Sequence, residues 1–154
     1  MIIVNADEIQ SMCEEGRLSI NMKPQRSGQG NNYLFSPELG VIFRDVHVIE
    51  VAAKYVIFGL KQSDGEDSVR LGEHLQKYLK TSYCIQATLP FYNIVNDNDN
   101  QEFWIRCYLP QVRGKPAISL QKSEQIESVT LEIKNVWHLP DKLGFNVELR
   151  CVKK

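Results

Sequence analysis

Trp104, Arg106 and Tyr108 occupy every second position of one short segment, and Phe103, Ile105 and Cys107 fill the places between them. Side chains alternate across a strand, so an extended chain here carries two rings and a guanidinium on one face and an apolar row on the other. The adjacent rings of Phe103 and Trp104 then face opposite sides and cannot both enter one core. If the Trp104 face is exposed, it is a stacking platform with a cation beside it, the chemistry that single-stranded nucleic acid binders use. The basic turn Arg113-Gly114-Lys115-Pro116 follows directly and adds two charges able to neutralise phosphates. The competing expectation is a strand buried on both sides, the usual place for strand aromatics.

Other chemistry finds less support. His47, His74 and His138 are the only histidines, and no serine lies in a Gly-x-Ser-x-Gly elbow. Cys13, Cys84, Cys107 and Cys151 are widely spaced among apolar residues and read as four reduced core thiols. No Cys-x2-Cys or His-x3-His pair suggests zinc. Asp97 and Asp99 have calcium-loop spacing, but the glycine such a loop needs and its closing bidentate Glu are missing. Residues 23–32 (KPQRSGQGNN) form a polar, mildly basic stretch expected to be a mobile loop. It lacks the spacing of a phosphate-cradling P-loop. The expectation is a non-enzymatic protein without cofactor or metal.

With 154 residues, 43% hydrophobic and 24% charged, the chain has the size and composition of one globular domain. A net charge of -1 gives no global field toward nucleic acid or anionic membrane, leaving room only for a local basic groove. Such a partition exists. From Pro110 to Lys154 eight positive residues face five negative ones, whereas the first sixteen residues hold four acids and no base. The start has no positive n-region, and the apolar stretch from Val46 to Leu60 carries Glu50 and Lys54 and is too short for a bilayer. These features predict an intracellular protein, cytoplasmic or nuclear, with no membrane segment.

The elements that would position the aromatic stripe are mostly strands. Asn5 and Glu8 have the spacing of a capping box ahead of a short helix with Ile9, Met12 and Cys13 on one face, ending at Gly16. Arg17 to Met22 alternates as a strand. Val41 to Phe43 and Val46 to Val51 read as strands either side of Arg44-Asp45, and Lys54 to Leu60 as a central strand. Ser63 to Ser68 reads as a break. The spacing of Leu71, Leu75, Tyr78 and Leu79 then predicts a helix over 68–81. Strands are expected at Tyr83 to Leu89, Ile94-Val95, Glu102 to Leu109 and Ala117 to Gln121.

The clearest pattern closes the chain. Val129, Leu131 and Ile133 share one face. After a turn at Pro140-Asp141, Leu143, Phe145, Val147, Leu149 and Cys151 share another. The fold class expected is α+β and β-dominated, a mostly antiparallel sheet or partly open OB-like barrel, with a short N-terminal helix and one inserted helix.

The segment Ser128 to Lys154, with its strand, Trp137-bearing turn and Gly144-bearing strand, resembles the closing strands of OB-fold single-stranded DNA-binding proteins of phages and large DNA viruses. The resemblance covers about 27 residues. It implies that Lys134 and Trp137 lie near a binding groove. Together with Trp104, Arg106, Tyr108, Arg113 and Lys115 they make the candidate nucleic-acid-binding set. The alternative is an interaction or assembly domain that docks a partner chain, or a second copy of itself, through a β-edge or aromatic patch.

Overall fold

In the closing hairpin, Val129, Leu131, Ile133, Phe145, Val147 and Leu149 are all buried, as period-two alternation requires of a strand with one face on a core. The computed structural model describes residues 2–15, 23–26, 33–36, 39–83, 94–97, 102–139 and 142–154. At 23–26, 33–36, 75–76, 78–83, 94–97, 102, 136–139 and 142–144 it describes the backbone alone. In chain order it comprises β1 (Ile2–Asn5), a 3-10 turn (Ala6–Glu8), α1 (Ile9–Glu14), β2 (Lys23–Arg26), β3 (Tyr33–Ser36), β4 (Leu39–Val51), β5 (Tyr55–Leu60) and α2 (Gln62–Tyr83). There follow β6 (Ile94–Asp97), β7 (Glu102–Tyr108), β8 (Gln111–Val112), β9 (Lys115–Pro116), β10 (Gln125–Leu139) and β11 (Lys142–Lys153). No helix among the described residues is long and apolar enough to cross a membrane.

The main sheet runs β1-β4-β5-β7-β11-β10-β3-β2, with β6 added on β7 and a second pairing of β4 with β10. That second pairing returns the path to its start through β4, β5, β7, β11 and β10. The pairings around this circuit are antiparallel except β7 with β11, which is parallel and rests on one paired position, Tyr108 with Glu148. The sheet is therefore partly ring-closed and not a complete barrel. The molecule is a β-dominated α+β fold, as the patterning predicts.

The core fills the inside of this circuit. Leu39, Val41, Phe43, Val46 and Val48 come from β4, Val56, Phe58 and Leu60 from β5, and Ile105 and Cys107 from β7; β10 and β11 add seven more, and Val4 of β1, Ile9 of α1, Leu71 of α2 and Leu120 join them. Phe58 is fully buried, and burying such a side chain stabilises the fold by about 1.5–3 kcal/mol. β4 is one strand, not two flanking Arg44-Asp45. Phe43 and Val46 both point inward and Arg44 and Asp45 both outward, so the alternation reverses there, with Asp45 at φ 53°. Aspartate tolerates that left-handed conformation better than most residues. Glu127 and Ser128 on β10, the residues facing this site, reverse in step.

Several expectations need correction. Lys23–Arg26, expected to open a loop, is β2. It pairs with β3 at the end of the sheet, the edge position where proline is tolerated. Residues 27–32 lie outside those described, as do the expected strand at 17–22, most of that at 83–89, Asp99 of the calcium-type spacing and the turn at Pro140-Asp141. Ile2–Asn5 is a strand parallel to β4. Asn5 does not cap the turn that follows; its side-chain amide donates to Glu8 Oε1 at 3.2 Å instead.

The long helix starts six residues before Ser68. Its first turns, read as a break, are helical because they pack: Asp64, Asp67 and Ser68 are buried, and Ser68 Oγ donates to the Asp64 carbonyl at 2.9 Å. A Cβ added to Gly65 would overlap the Phe103 ring, so glycine is what lets α2 approach β7. Asp64 in the first turn also suits the positive end of the helix dipole. Of the helix's predicted apolar row, Leu71 is buried, and the side chains of Leu75, Tyr78 and Leu79 lie outside those described. Ala117 to Gln121 is not a strand. It is irregular chain pinned by Leu120 in the core and by Ala117 N–H donating to the Pro110 carbonyl.

Of the four cysteines, Cys107 is buried and Cys13 half-buried, while Cys151 is exposed; Cys84 lies outside the described residues. Cys151 departs from its predicted face because the β10–β11 register slips between Thr130 and Leu131, leaving Arg150 as an extra residue. One inserted residue reverses every position beyond it. Val152 packs against the core instead.

Candidate functional site

On β7 the alternation is realised in the sense that leaves the aromatic row outside. Ile105 and Cys107 are buried, Arg106 is exposed, Tyr108 is 48% exposed and Trp104 is half-buried. β5 lies alongside with Gly59 paired to Trp104, Ile57 to Arg106 and Tyr55 to Tyr108. Cross-strand partners share a face, so Tyr55 and Ile57 join the outer surface. The Arg106 guanidinium carbon sits 5.3 Å from the centroid of the Tyr55 ring, a cation–π contact. Arg106 forms no ion pair with a carboxylate among the described residues.

The basic turn is attached to the same end of the strand. β8 and β9 pair as a separate two-stranded hairpin whose turn residues, Arg113 and Gly114, have φ of 54° and 77°. Two consecutive positive φ values are those of a tight two-residue turn, which glycine takes at no steric cost and which lifts Arg113 to the tip. Arg113 and Lys115 are exposed. The hairpin is tied to the loop before β5 by Leu109 N–H to the Lys54 carbonyl at 2.9 Å and by Gln111 Nε2 to the Ala53 carbonyl at 3.2 Å. Three exposed apolar side chains, Val51, Tyr108 and Val112, belong to the segments that converge here. Trp104, Arg106 and Tyr108 thus share the outer face of β7, and Arg113 and Lys115 are exposed on the hairpin that follows it.

Lys134 and Trp137 are placed differently. Both are on β10, which β11 separates from β7. Lys134 is the extra residue of a second register slip, between Ile133 and Asn135. Its ammonium lies 3.7 Å from Glu132 Oε2, and Arg150 reaches the same oxygen at 3.1 Å. Two cations on one carboxylate leave Lys134 less free to take a phosphate. The backbone of Trp137 pairs with Leu34 on β3 and Gly144 on β11, and its side chain is outside those described.

A second feature was not expected from the sequence. Asn5, Asp7, Ile42, Arg44, Lys61 and Asp64 line a polar cleft of about 90 Å³ beside the start of α2. Burial pushes the Asp64 carboxyl above its ordinary range, with Asp67 and Asp7 adding to the rise and Lys61 opposing it. Burial raises Asp67 as well, against its hydrogen bond from Arg70. The cleft mixes both signs of charge. Among the described residues no cluster of three or more His, Cys, Asp or Glu could hold a metal ion.

Comparison of the sequence with protein-family models and with curated proteins gives no match. The functional argument therefore rests on the surface itself. Tyr55 and Glu148 belong to it through pairing with Tyr108 on either side. Period-two patterning shows which residues share a face within a strand, but not which strand lies next to it.

Proposed function

We propose that the protein binds single-stranded nucleic acid on the outer face of β5 and β7, without catalysing a reaction. The observation that carries this is the Trp104–Arg106–Tyr108 row turned away from the core, with Arg106 held over Tyr55. Bases stack on the tyrosine and tryptophan rings, each stacked base contributing about 1–3 kcal/mol. Arg106, Arg113 and Lys115 neutralise phosphates.

The strand path supports the same surface. β4, β5, β7, β11 and β10 follow one another around the partly closed sheet in the manner of an OB-type barrel, in which β5 and β7 are the second and third strands. In OB-folds the face of those two strands is where oligonucleotides bind. This chain departs from that plan in carrying its long helix between the second and third strands. A second arrangement is favoured by the exposed Val51, Tyr108 and Val112, an apolar group that would suit docking of a protein partner.

Titration of tryptophan fluorescence with a mixed-sequence single-stranded oligonucleotide separates the two. Stacking predicts quenching that weakens with salt, with a log–log slope near -2 for about three phosphate contacts. Absence of both quenching and anisotropy change at low salt would overturn the nucleic-acid proposal. Binding to a protein partner that is insensitive to salt would favour docking.

A further inference from the structure

Glu148 lies directly beside Tyr108, and it differs from its neighbour across the sheet. It pairs with Tyr108 on one side and with Glu132 on the other. Val147 and Leu149 point into the core, which puts Glu148 on the outer face with Tyr108. Glu132 is held by Lys134 and Arg150. Glu148 forms no ion pair among the described residues.

We infer that Glu148 reads the edge of a base stacked on Tyr108 and selects bases that present an exocyclic amino group, cytosine over uracil. This rests on the nucleic-acid surface proposed above. Neighbouring strands are about 4.8 Å apart, so a base lying on the Tyr108 ring extends its edge over β11 within reach of the carboxylate. An ionised carboxylate only accepts hydrogen bonds. It accepts from the N4 amino group of cytosine, whereas uracil presents the O4 acceptor at that position and the two oxygens repel. The same charge turns phosphates away from β11 and toward Arg106, Arg113 and Lys115, which fixes which side of the strand carries the backbone.

The test compares short oligodeoxycytidylate with oligodeoxyuridylate of equal length, by fluorescence anisotropy on the full chain at mildly alkaline pH. Both are pyrimidines without the thymine methyl, so stacking is matched. The wild type should bind the cytidylate about tenfold more tightly. Glu148→Gln, whose amide can donate as well as accept, should bring the two within about twofold, while Glu132→Gln leaves the preference in place. Circular dichroism on both variants checks that the fold is kept. Equal affinity of the wild type for both ligands, or a preference that survives Glu148→Gln, overturns the inference and leaves the binding surface standing. Failure to bind either ligand overturns the surface and the inference together.

Discussion

The two faces of β7 spend the same kind of residue in opposite ways. On the inner face Phe103 presses against Gly65 of α2, and Ile105 and Cys107 are buried among β5 and β11 side chains. On the outer face Trp104 is half-buried, Arg106 and Tyr108 are exposed, and the Arg106 guanidinium lies over the Tyr55 ring. Apolar burial on one side supplies enough stability for the other side to keep a tyrosine ring and a cation in water, where they add little to the fold. Changes on the inner face should therefore act on stability, and changes on the outer face on binding.

The sharpest break of that division is Ile105→Ala. Ile105 is buried and pairs with Phe58 and Ile94 through its strand neighbours. Truncating it should cost about 2–5 kcal/mol in urea unfolding, with the oligonucleotide affinity of the folded protein unchanged. Gly65→Ala comes next. The new methyl meets the Phe103 ring, and forcing α2 away from β7 should cost about 1–3 kcal/mol despite alanine's better helix propensity. If Gly65→Ala proves neutral, the close approach of α2 to β7 is not what holds the inner face.

The same side of the molecule carries a pH response. Burial raises the Asp64 carboxyl above its ordinary value, so the fold favours its neutral form. The stability this contributes is fully present below the unfolded value, near pH ~4, and is lost as pH rises through the folded value. Asp64→Asn keeps a neutral polar group there. It should match the wild type at pH 3 and gain on it as pH climbs toward neutrality, measured as the denaturation midpoint across that range.

On the outer face the pattern inverts. Tyr108→Ala should leave stability within about 0.5 kcal/mol, because half the side chain is already in water. Its affinity for single strands should fall about tenfold, the lower part of the range for one stacked base. A loss of stability larger than that would mean the ring supports the fold, and the contrast between the faces would fail.

How much of this could be read in advance depends on distance along the chain. The buried rows Val129-Leu131-Ile133 and Phe145-Val147-Leu149 follow from period two, because one strand's alternation is local information. Cys151 escaped because an extra residue at Arg150 reverses parity, and nothing in the sequence marks that slip. Asp64, Gly65, Asp67 and Ser68 are turn formers by local preference, and only packing on β7 and the cleft by β1 makes them helical. The Trp104–Arg106–Tyr108 stripe was legible for the same reason as the buried rows. Its flanks were not: Tyr55 and Glu148 reach Tyr108 through pairings that span 53 and 40 residues of chain.

The smallest effect tests whether Arg106 belongs to the ligand or to the sheet. An exposed cation–π contact such as that with Tyr55 contributes about 0.5–1 kcal/mol, so both Arg106→Lys and Arg106→Gln should lower stability by no more than that. Their binding should differ. Lysine keeps the charge, so the salt dependence should stay near the wild-type slope even where affinity drops with the loss of the flat guanidinium. Glutamine removes the charge, and the slope should become shallower by about 0.7, the share of one phosphate on a single strand. An unchanged slope in Arg106→Gln would assign the guanidinium to the tyrosine alone. The phosphates would then have to be met by Arg113 and Lys115 on the hairpin, moving the track toward the end of the sheet where Val51 and Val112 are exposed.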